Sequence, residues 1–169
     1  MNKKIIESVK CLSSKLLAKN LVLLSVESCT GGGLGYYCTN QAGSSIWYAG
    51  GHITYHNSSK IILGVPATTL SDYGAVSEQT ALAMAQAALR QVDGDKDKDG
   101  ELTTQYCSLA ITGIAGPEGG SAEKPVGTVC FSWVTNAKAK EEKRIFAGSR
   151  AAIRDQAILY SLDKMATII

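Results

Sequence analysis

The stretch that decides the fold is VLLSVESCTGGGLG, residues 22–35. Its apolar beginning is typical of a buried strand. The strand ends at a polar corner that starts with Glu27 and Ser28, and three glycines follow at positions 31–33. A strand that turns through glycines into a helix is a common ligand-binding corner of α/β proteins. We therefore expect a strand, a tight turn and a helix of residues 30 to 39 here.

Helical and strand patterns alternate on both sides of this corner. This alternation predicts a three-layer α/β/α sandwich. No composition shift marks a boundary, so residues 1–169 are expected to form one domain. Helices are expected near residues 3–19, 30–39, 57–64, 78–92 and 150–169, with a short helix or turn at 66–74. Strands are expected near 21–26, 44–56 (one or two pieces, broken at Gly50-Gly51), 126–135 and 143–148, and residues 106–116 are expected to be a strand followed by a glycine loop.

The composition of the chain argues against several classes of function. The 169 residues carry a formal net charge of +2, and basic residues do not cluster with aromatic ones, which argues against a nucleic-acid partner. Five scattered cysteines without a CxxC pair argue against a disulfide framework and a zinc site. No secretory leader and no run of about 20 apolar residues occurs. We expect a cytoplasmic protein that needs no metal and no cofactor.

One segment has part of a calcium-loop pattern. In DGDKDKDGEL, residues 93–102, Asp95, Asp97 and Asp99 match the first, third and fifth loop positions. The twelfth position, which needs a bidentate Glu, holds Tyr106. A solvated charged loop is the preferred interpretation.

The corner itself can support nucleophilic chemistry. Neither a P-loop nor a GxGxxG motif is present, although amides at a helix start can hold an anion. Ser28 lies where a hydroxyl is exposed and nearby amides can stabilise an oxyanion. Its base would be His56 or a lysine made neutral by burial, and Lys60 lies five residues after Tyr55. Tyr55 could then relay or orient the proton.

A long glycine-rich loop is the other candidate for binding. ITGIAGPEGGSAEKPVGTV, residues 111–129, joins two apolar strands and is too long for a simple hairpin. It offers polar side chains at Thr112, Ser121, Glu123 and Lys124. We interpret it as a loop that wraps a ligand.

Several of these motifs together resemble the CinA C-terminal domain family. They are ESCTGGGLG, GSSIWYAGGHITYHNSSKIILGV, LSDYGAVSEQTA and the 111–129 loop, in the family's order. The resemblance covers about residues 21–154. It implies a five-stranded mixed sheet, homo-oligomers, and metal-free hydrolysis of the carboxamide of nicotinamide mononucleotide in pyridine nucleotide recycling. The products would be nicotinic acid mononucleotide and ammonia. Longer relatives carry an N-terminal molybdopterin-binding-like domain, which this sequence lacks.

The resemblance also implies the roles of particular residues. The family's serine, tyrosine and lysine match Ser28, Tyr55 and Lys60, which would be catalytic. The arginine after the last strand, Arg150, would hold the phosphate, because a guanidinium suits that group. The predicted substrate-binding residues are Cys29, Thr30, Gly31, Gly32, Thr112, Gly113, Gly116 and Arg150.

Three alternatives remain open from the sequence. Cys29 is adjacent to Ser28 and is a better intrinsic nucleophile as a thiolate. His56 could replace Lys60 as the base. The chain could also be an inactive paralogue that only binds a nucleotide.

Overall fold

The computed structural model describes residues 1–92 and 104–169, which form six helices and five strands. The calcium-loop candidate at 93–102 lies outside the described residues. The elements in chain order are α1 (Lys3–Ala18), β1 (Leu21–Glu27), α2 (Gly33–Thr39), β2 (Tyr48–Ile53), α3 (Asn57–Leu63), α4 (Ala67–Tyr73), α5 (Glu78–Leu89), β3 (Gln105–Gly113), β4 (Thr128–Val134), β5 (Ala139–Ile145) and α6 (Arg150–Ile168).

The five strands form one mixed sheet in the order β2-β1-β3-β4-β5. β1 pairs in parallel with both β2 and β3, whereas β4 and β5 continue the sheet antiparallel. The carboxyl ends of β2, β1 and β3 therefore meet at one edge of the sheet. After β1, the chain forms β2 on one side of β1 and then β3 on its other side. In α/β sheets, ligands bind at the carboxyl edge where the strand order reverses in this way.

Helices cover both faces of the sheet, as expected for three layers. One apolar core joins α1, α2 and α6 to the sheet and contains Leu12, Trp133 and Leu162. A second core joins α3 and α5 to the other face and contains Met84 and Ala110. The predicted α/β/α sandwich with a five-stranded mixed sheet is confirmed.

No described helix, within residues 1–92 and 104–169, has both the length and the apolar character needed to cross a membrane.

Several boundaries differ from the sequence prediction. The strand expected at 143–148 is β5, which begins at Ala139 and ends at Ile145. The helix expected from residue 30 begins at Gly33, because Gly31 and Gly32 adopt left-handed φ angles of 58° and 89° that continue the turn. The predicted break at Gly50-Gly51 was wrong, since β2 runs through both glycines. A Cβ at residue 51 would lie 2.1 Å from the Ser25 hydroxyl, so this glycine permits close strand packing.

Candidate active site

Ser28 and Lys60 are in direct contact at the carboxyl edge of the sheet. Ser28 follows β1, and its amide donates to the Ile111 carbonyl at 2.9 Å, which fixes the corner to β3. Lys60 lies in the second turn of α3. Its Nζ lies 3.1 Å from the Ser28 Oγ and 2.7 Å from the Thr54 carbonyl oxygen. The two residues named from the sequence therefore form a hydrogen-bonded pair.

Burial controls the protonation of this pair. Lys60 is 1% exposed, and desolvation lowers the pKa of its amine below the ordinary value of 10.5. An ionised Cys29 would oppose this shift, but burial raises the pKa of the Cys29 thiol to about 12, so the thiol is neutral. A neutral amine donates one N–H to the Thr54 carbonyl and keeps a lone pair for the Ser28 hydroxyl proton. The pair thus has the geometry of a nucleophile with its base, and burial shifts the pKa of the amine in the direction that such a base needs.

A cleft of about 290 Å³ opens in front of the pair. This volume is near the lower end of the roughly 300–1,000 Å³ of small-molecule sites. The loop after β3 forms one wall and the start of α6 contributes Arg150. The predicted residues that line the cleft are Ser28, Cys29, Tyr55, Lys60, Thr112, Gly113, Gly116 and Arg150, and further lining residues include Asn57, Val76 and Glu118.

Tyr55 and Arg150 form a bridge at the rim of this cleft. The Arg150 guanidinium donates to the Tyr55 hydroxyl at 3.0 Å and to the Gly116 carbonyl at 2.6 Å. Tyr55 is 60% exposed and, among the described residues, its hydroxyl has no hydrogen bond to Ser28 or Lys60. The structure thus places Tyr55 beside the guanidinium, in the same cleft as Ser28 and Lys60.

Thr30, Gly31 and Gly32 lie outside the cleft, although the sequence placed them in substrate binding. The Thr30 carbonyl accepts from the Arg154 guanidinium at 2.7 Å. The Gly31 amide donates back to the Ser28 carbonyl at 3.1 Å. Their contacts hold the turn itself, and none of the three is among the residues that line the cleft.

The anion expected at the start of α2 is supplied by the chain itself. The Glu27 carboxylate accepts from the amides of Gly32 and Leu34 at 3.0 Å and from that of Gly35 at 2.9 Å. Glu27 is only 2% exposed. These amides are therefore used by an internal carboxylate and do not face a substrate phosphate.

Glu27 and Arg154 are the functional residues that sequence reasoning missed. An acid at the end of an otherwise apolar buried strand is a signal for Glu27. Arg154 lies four residues after Arg150 on the same side of α6, so the helical spacing indicates a related position. Together they hold the Ser28 corner from the α2 side and the α6 side.

His56 and Cys29 are less suited to the reaction than the pair. His56 caps α3, and its Nδ1 lies 2.9 Å from the Ser58 Oγ and accepts from the Ser58 amide at 3.3 Å. It is not among the cleft-lining residues. The buried Cys29 thiol lacks the lowered pKa that a nucleophilic cysteine needs.

Replacing Cys29 by alanine should therefore leave most of the turnover intact. We expect kcat within about threefold of wild type, because a neutral buried thiol contributes packing and not reactivity. Steady-state kinetics of Cys29→Ala beside Ser28→Ala checks this. Loss of activity in the cysteine variant alone would make Cys29 the nucleophile.

The fold and the site define an α/β protein with a serine–lysine pair at the carboxyl ends of parallel strands. The family model described as CinA C-terminal domain matches residues 6–169, and the chain belongs to that family.

Comparisons with individual proteins agree with this assignment. The chain is 40% identical over 152 residues to the nicotinamide-nucleotide amidohydrolase PncC of Escherichia coli K12, covering 89% of this chain and 86% of that protein. It is 46% identical to a CinA-like protein of Leptospira biflexa, of which it spans 32% while 85% of this chain is covered. The crystal structure of competence/damage inducible protein CihA from Agrobacterium tumefaciens superposes with a TM-score of 0.86 at 34% identity, covering 98% of this chain and 95% of that one.

Proposed function

We propose that the protein is an amidohydrolase that converts nicotinamide mononucleotide to nicotinic acid mononucleotide and ammonia. The observation that carries the proposal is the 3.1 Å contact between the Ser28 hydroxyl and the buried Lys60 amine. The amidohydrolase named at 40% identity over most of both chains supports the substrate. We place this reaction in pyridine nucleotide recycling, where it would convert nicotinamide mononucleotide to nicotinic acid mononucleotide.

The first half of the reaction forms an acyl-enzyme. Neutral Lys60 takes the Ser28 proton while the oxygen attacks the carboxamide carbon. The amides of Ser28 and Gly31 already donate to carbonyls. The amide of Cys29, which lines the cleft, has no backbone acceptor within the described residues, and we assign it to the developing oxyanion. Lys60 then gives its proton to the leaving nitrogen, and ammonia departs.

The second half returns the enzyme to its starting state. A water molecule loses a proton to Lys60 and attacks the acyl carbon, and the serine oxygen recovers that proton as the C–O bond breaks. The products are the free Ser28 hydroxyl and a carboxylic acid, which releases its proton to solvent and leaves as the carboxylate. Each proton is moved by one amine, so these steps need neither a metal nor a cofactor.

Arg150 is the proposed phosphate ligand. Its guanidinium lies at the cleft rim, and both of its hydrogen bonds there are to neutral groups, Tyr55 and Gly116. No salt bridge of the described residues involves this guanidinium, although Glu118 also lines the cleft, so its charge is available to a phosphate. Tyr55 orients this guanidinium, which is the role that its position supports.

Arg150→Lys should separate binding from chemistry. We expect KM for nicotinamide mononucleotide to rise about tenfold or more with a smaller change in kcat, because an ammonium cannot reproduce the bidentate fork. The unphosphorylated nucleoside serves as the control, since its kcat/KM should change little. An equal loss for the nucleotide and the nucleoside would contradict phosphate binding by Arg150.

The proposed activity is tested by ammonia release from purified protein. Nicotinamide mononucleotide should yield equimolar ammonia and nicotinic acid mononucleotide, whereas free nicotinamide should be a poor substrate. Saturable binding in calorimetry without product over hours would instead identify a nucleotide-binding paralogue.

The cellular location and the oligomeric state of the protein are also part of the proposal. Its five cysteines are all free, four of them buried, which supports a reducing cytoplasmic environment. We place it there as a homo-oligomer.

A further inference from the structure

Glu118 places a negative charge in the cleft that the proposed reaction does not use. Among the described residues that line the cleft, Glu118 is the one carboxylate and Arg150 the one guanidinium. The carboxylate of Glu27 is close to the corner, but it does not line the cleft and is bound by three amides. Within the described part of the chain, the cleft therefore presents one accessible carboxylate.

The Glu118 carboxylate is free to contact a ligand. Its side chain is exposed, and within residues 1–92 and 104–169 it takes part in no hydrogen bond or ion pair. An ionised carboxylate accepts hydrogen bonds and attracts cations. Because no internal partner uses this one, its charge acts on whatever enters the cleft.

The loop that carries Glu118 is held on both sides of this residue. On the N-terminal side, the Arg150 guanidinium donates to the Gly116 carbonyl at 2.6 Å. On the C-terminal side, the Lys124 amine donates to the Tyr73 carbonyl at 3.1 Å, which ties the loop to the end of α4. These contacts keep the backbone of Glu118 at the cleft beside the guanidinium.

The proposed substrate carries two opposite charges. The pyridinium ring of nicotinamide mononucleotide is a cation that bears the carboxamide, and the phosphate lies beyond the ribose. Placing the carboxamide carbon at Ser28 brings the cationic ring into the cleft, while the phosphate reaches Arg150 at the rim. In a cleft of about 290 Å³, the ring then lies within Coulombic range of the Glu118 carboxylate.

We infer that Glu118 is a specificity-determining residue, whose carboxylate selects the cationic pyridinium ring over the neutral dihydropyridine ring of the reduced nucleotide. The two forms share the carboxamide, the ribose and the phosphate, so the charge of the ring distinguishes them electrostatically. The inference rests on the proposed function, because it takes the nucleotide as the ligand of this cleft. Glu118 thereby directs the enzyme to the oxidised nucleotide.

Isothermal titration calorimetry of the Ser28→Ala variant separates recognition from turnover. The nucleotide should not be consumed by this variant, so Kd can be measured for the oxidised and the reduced form. We expect the oxidised form to bind about fivefold more tightly. Adding Glu118→Gln should weaken binding of the oxidised form about fivefold and leave binding of the reduced form nearly unchanged, as expected for one exposed charge pair.

Two further substitutions in the same Ser28→Ala background control this measurement. Glu118→Asp keeps the charge and should retain the preference for the oxidised form. Glu123→Gln removes a carboxylate from an exposed position of the same loop that does not line the cleft, so it should change neither Kd. Raising the salt concentration should reduce the effect of Glu118→Gln, because salt screens exposed charges.

The outcomes distinguish this inference from the proposed function. Equal weakening of both forms by Glu118→Gln would assign the carboxylate to a group that they share, such as the ribose hydroxyls, and would overturn the inference. Equal affinity of the Ser28→Ala variant for both forms, a preference that survives Glu118→Gln, or binding of neither form would also overturn it. A wild type that releases no ammonia while the charge preference is observed would contradict the amidohydrolase and leave the role of Glu118 in recognition.

Discussion

Lys60→Met is expected to lower kcat by about a thousandfold or more, because no other base of residues 1–92 and 104–169 lies within hydrogen-bond distance of the Ser28 hydroxyl. Methionine fills a similar volume in a site where Lys60 is 1% exposed, so the fold should persist. Steady-state ammonia release and circular dichroism measure the two effects. Lys143→Met, at an exposed position of β5, is the matched control and should retain full activity.

Substitutions of Ser28 and Lys60 should have non-additive effects on kcat. Ser28→Ala alone is expected to cost at least as much as Lys60→Met, since it removes the nucleophile. The double variant should lose little beyond the serine variant, because residues that act in one step are non-additive. Losses that multiply would show that the two residues act separately. A fully active Ser28→Ala would remove the proposed mechanism.

Glu27→Leu is expected to produce the largest loss of stability among the site variants. The buried amide of Leu34 and the half-buried amides of Gly32 and Gly35 would all lose their acceptor. An unsatisfied buried donor costs about 1–3 kcal/mol and a half-buried one less, so the free energy of unfolding should fall by roughly 2–3 kcal/mol. Urea denaturation monitored by circular dichroism measures this change.

The conservative substitution tests separately how the Glu27 carboxylate contributes to stability and to turnover. Glu27→Gln keeps the shape and one acceptor oxygen but turns an NH₂ group toward at least one amide. We expect an intermediate loss of stability and a fall in kcat with little change in KM, because the Ser28 corner shifts relative to Lys60. Glu7→Gln, on the exposed side of α1, should alter neither quantity. A stable Glu27→Leu variant would show that the three amides find other partners.

Local chemistry made much of this site predictable. The glycines at 31–33 indicated the turn, and the helix expected at 57–64 is the one that holds Lys60, although its N-cap is His56. Because both flank the carboxyl ends of neighbouring parallel strands, sequence reasoning could bring Ser28 and Lys60 together. The 3.1 Å contact is the geometry which that reasoning required.

Long-range packing explains what the sequence did not reveal. Arg154 contacts Thr30 across 124 positions of the chain, and no local pattern encodes that contact. The anion for the α2 amides was expected from a ligand, but Glu27 lies close enough to supply it. The glycine pair in β2 was taken as a break, although the close approach of Ser25 gives Gly51 a packing role. In each case, the role of the residue depends on the atoms that lie next to it in the folded structure.

The pH dependence of kcat/KM tests the central claim most directly. Below its lowered pKa, Lys60 is protonated and cannot take the Ser28 proton, so kcat/KM should rise with pH through an inflection below the ordinary lysine value of 10.5. The same inflection should persist in His56→Ala. A profile that is flat, or one whose only rise lies near the histidine value of about 6.5 and vanishes in His56→Ala, would contradict a neutral Lys60 as the base.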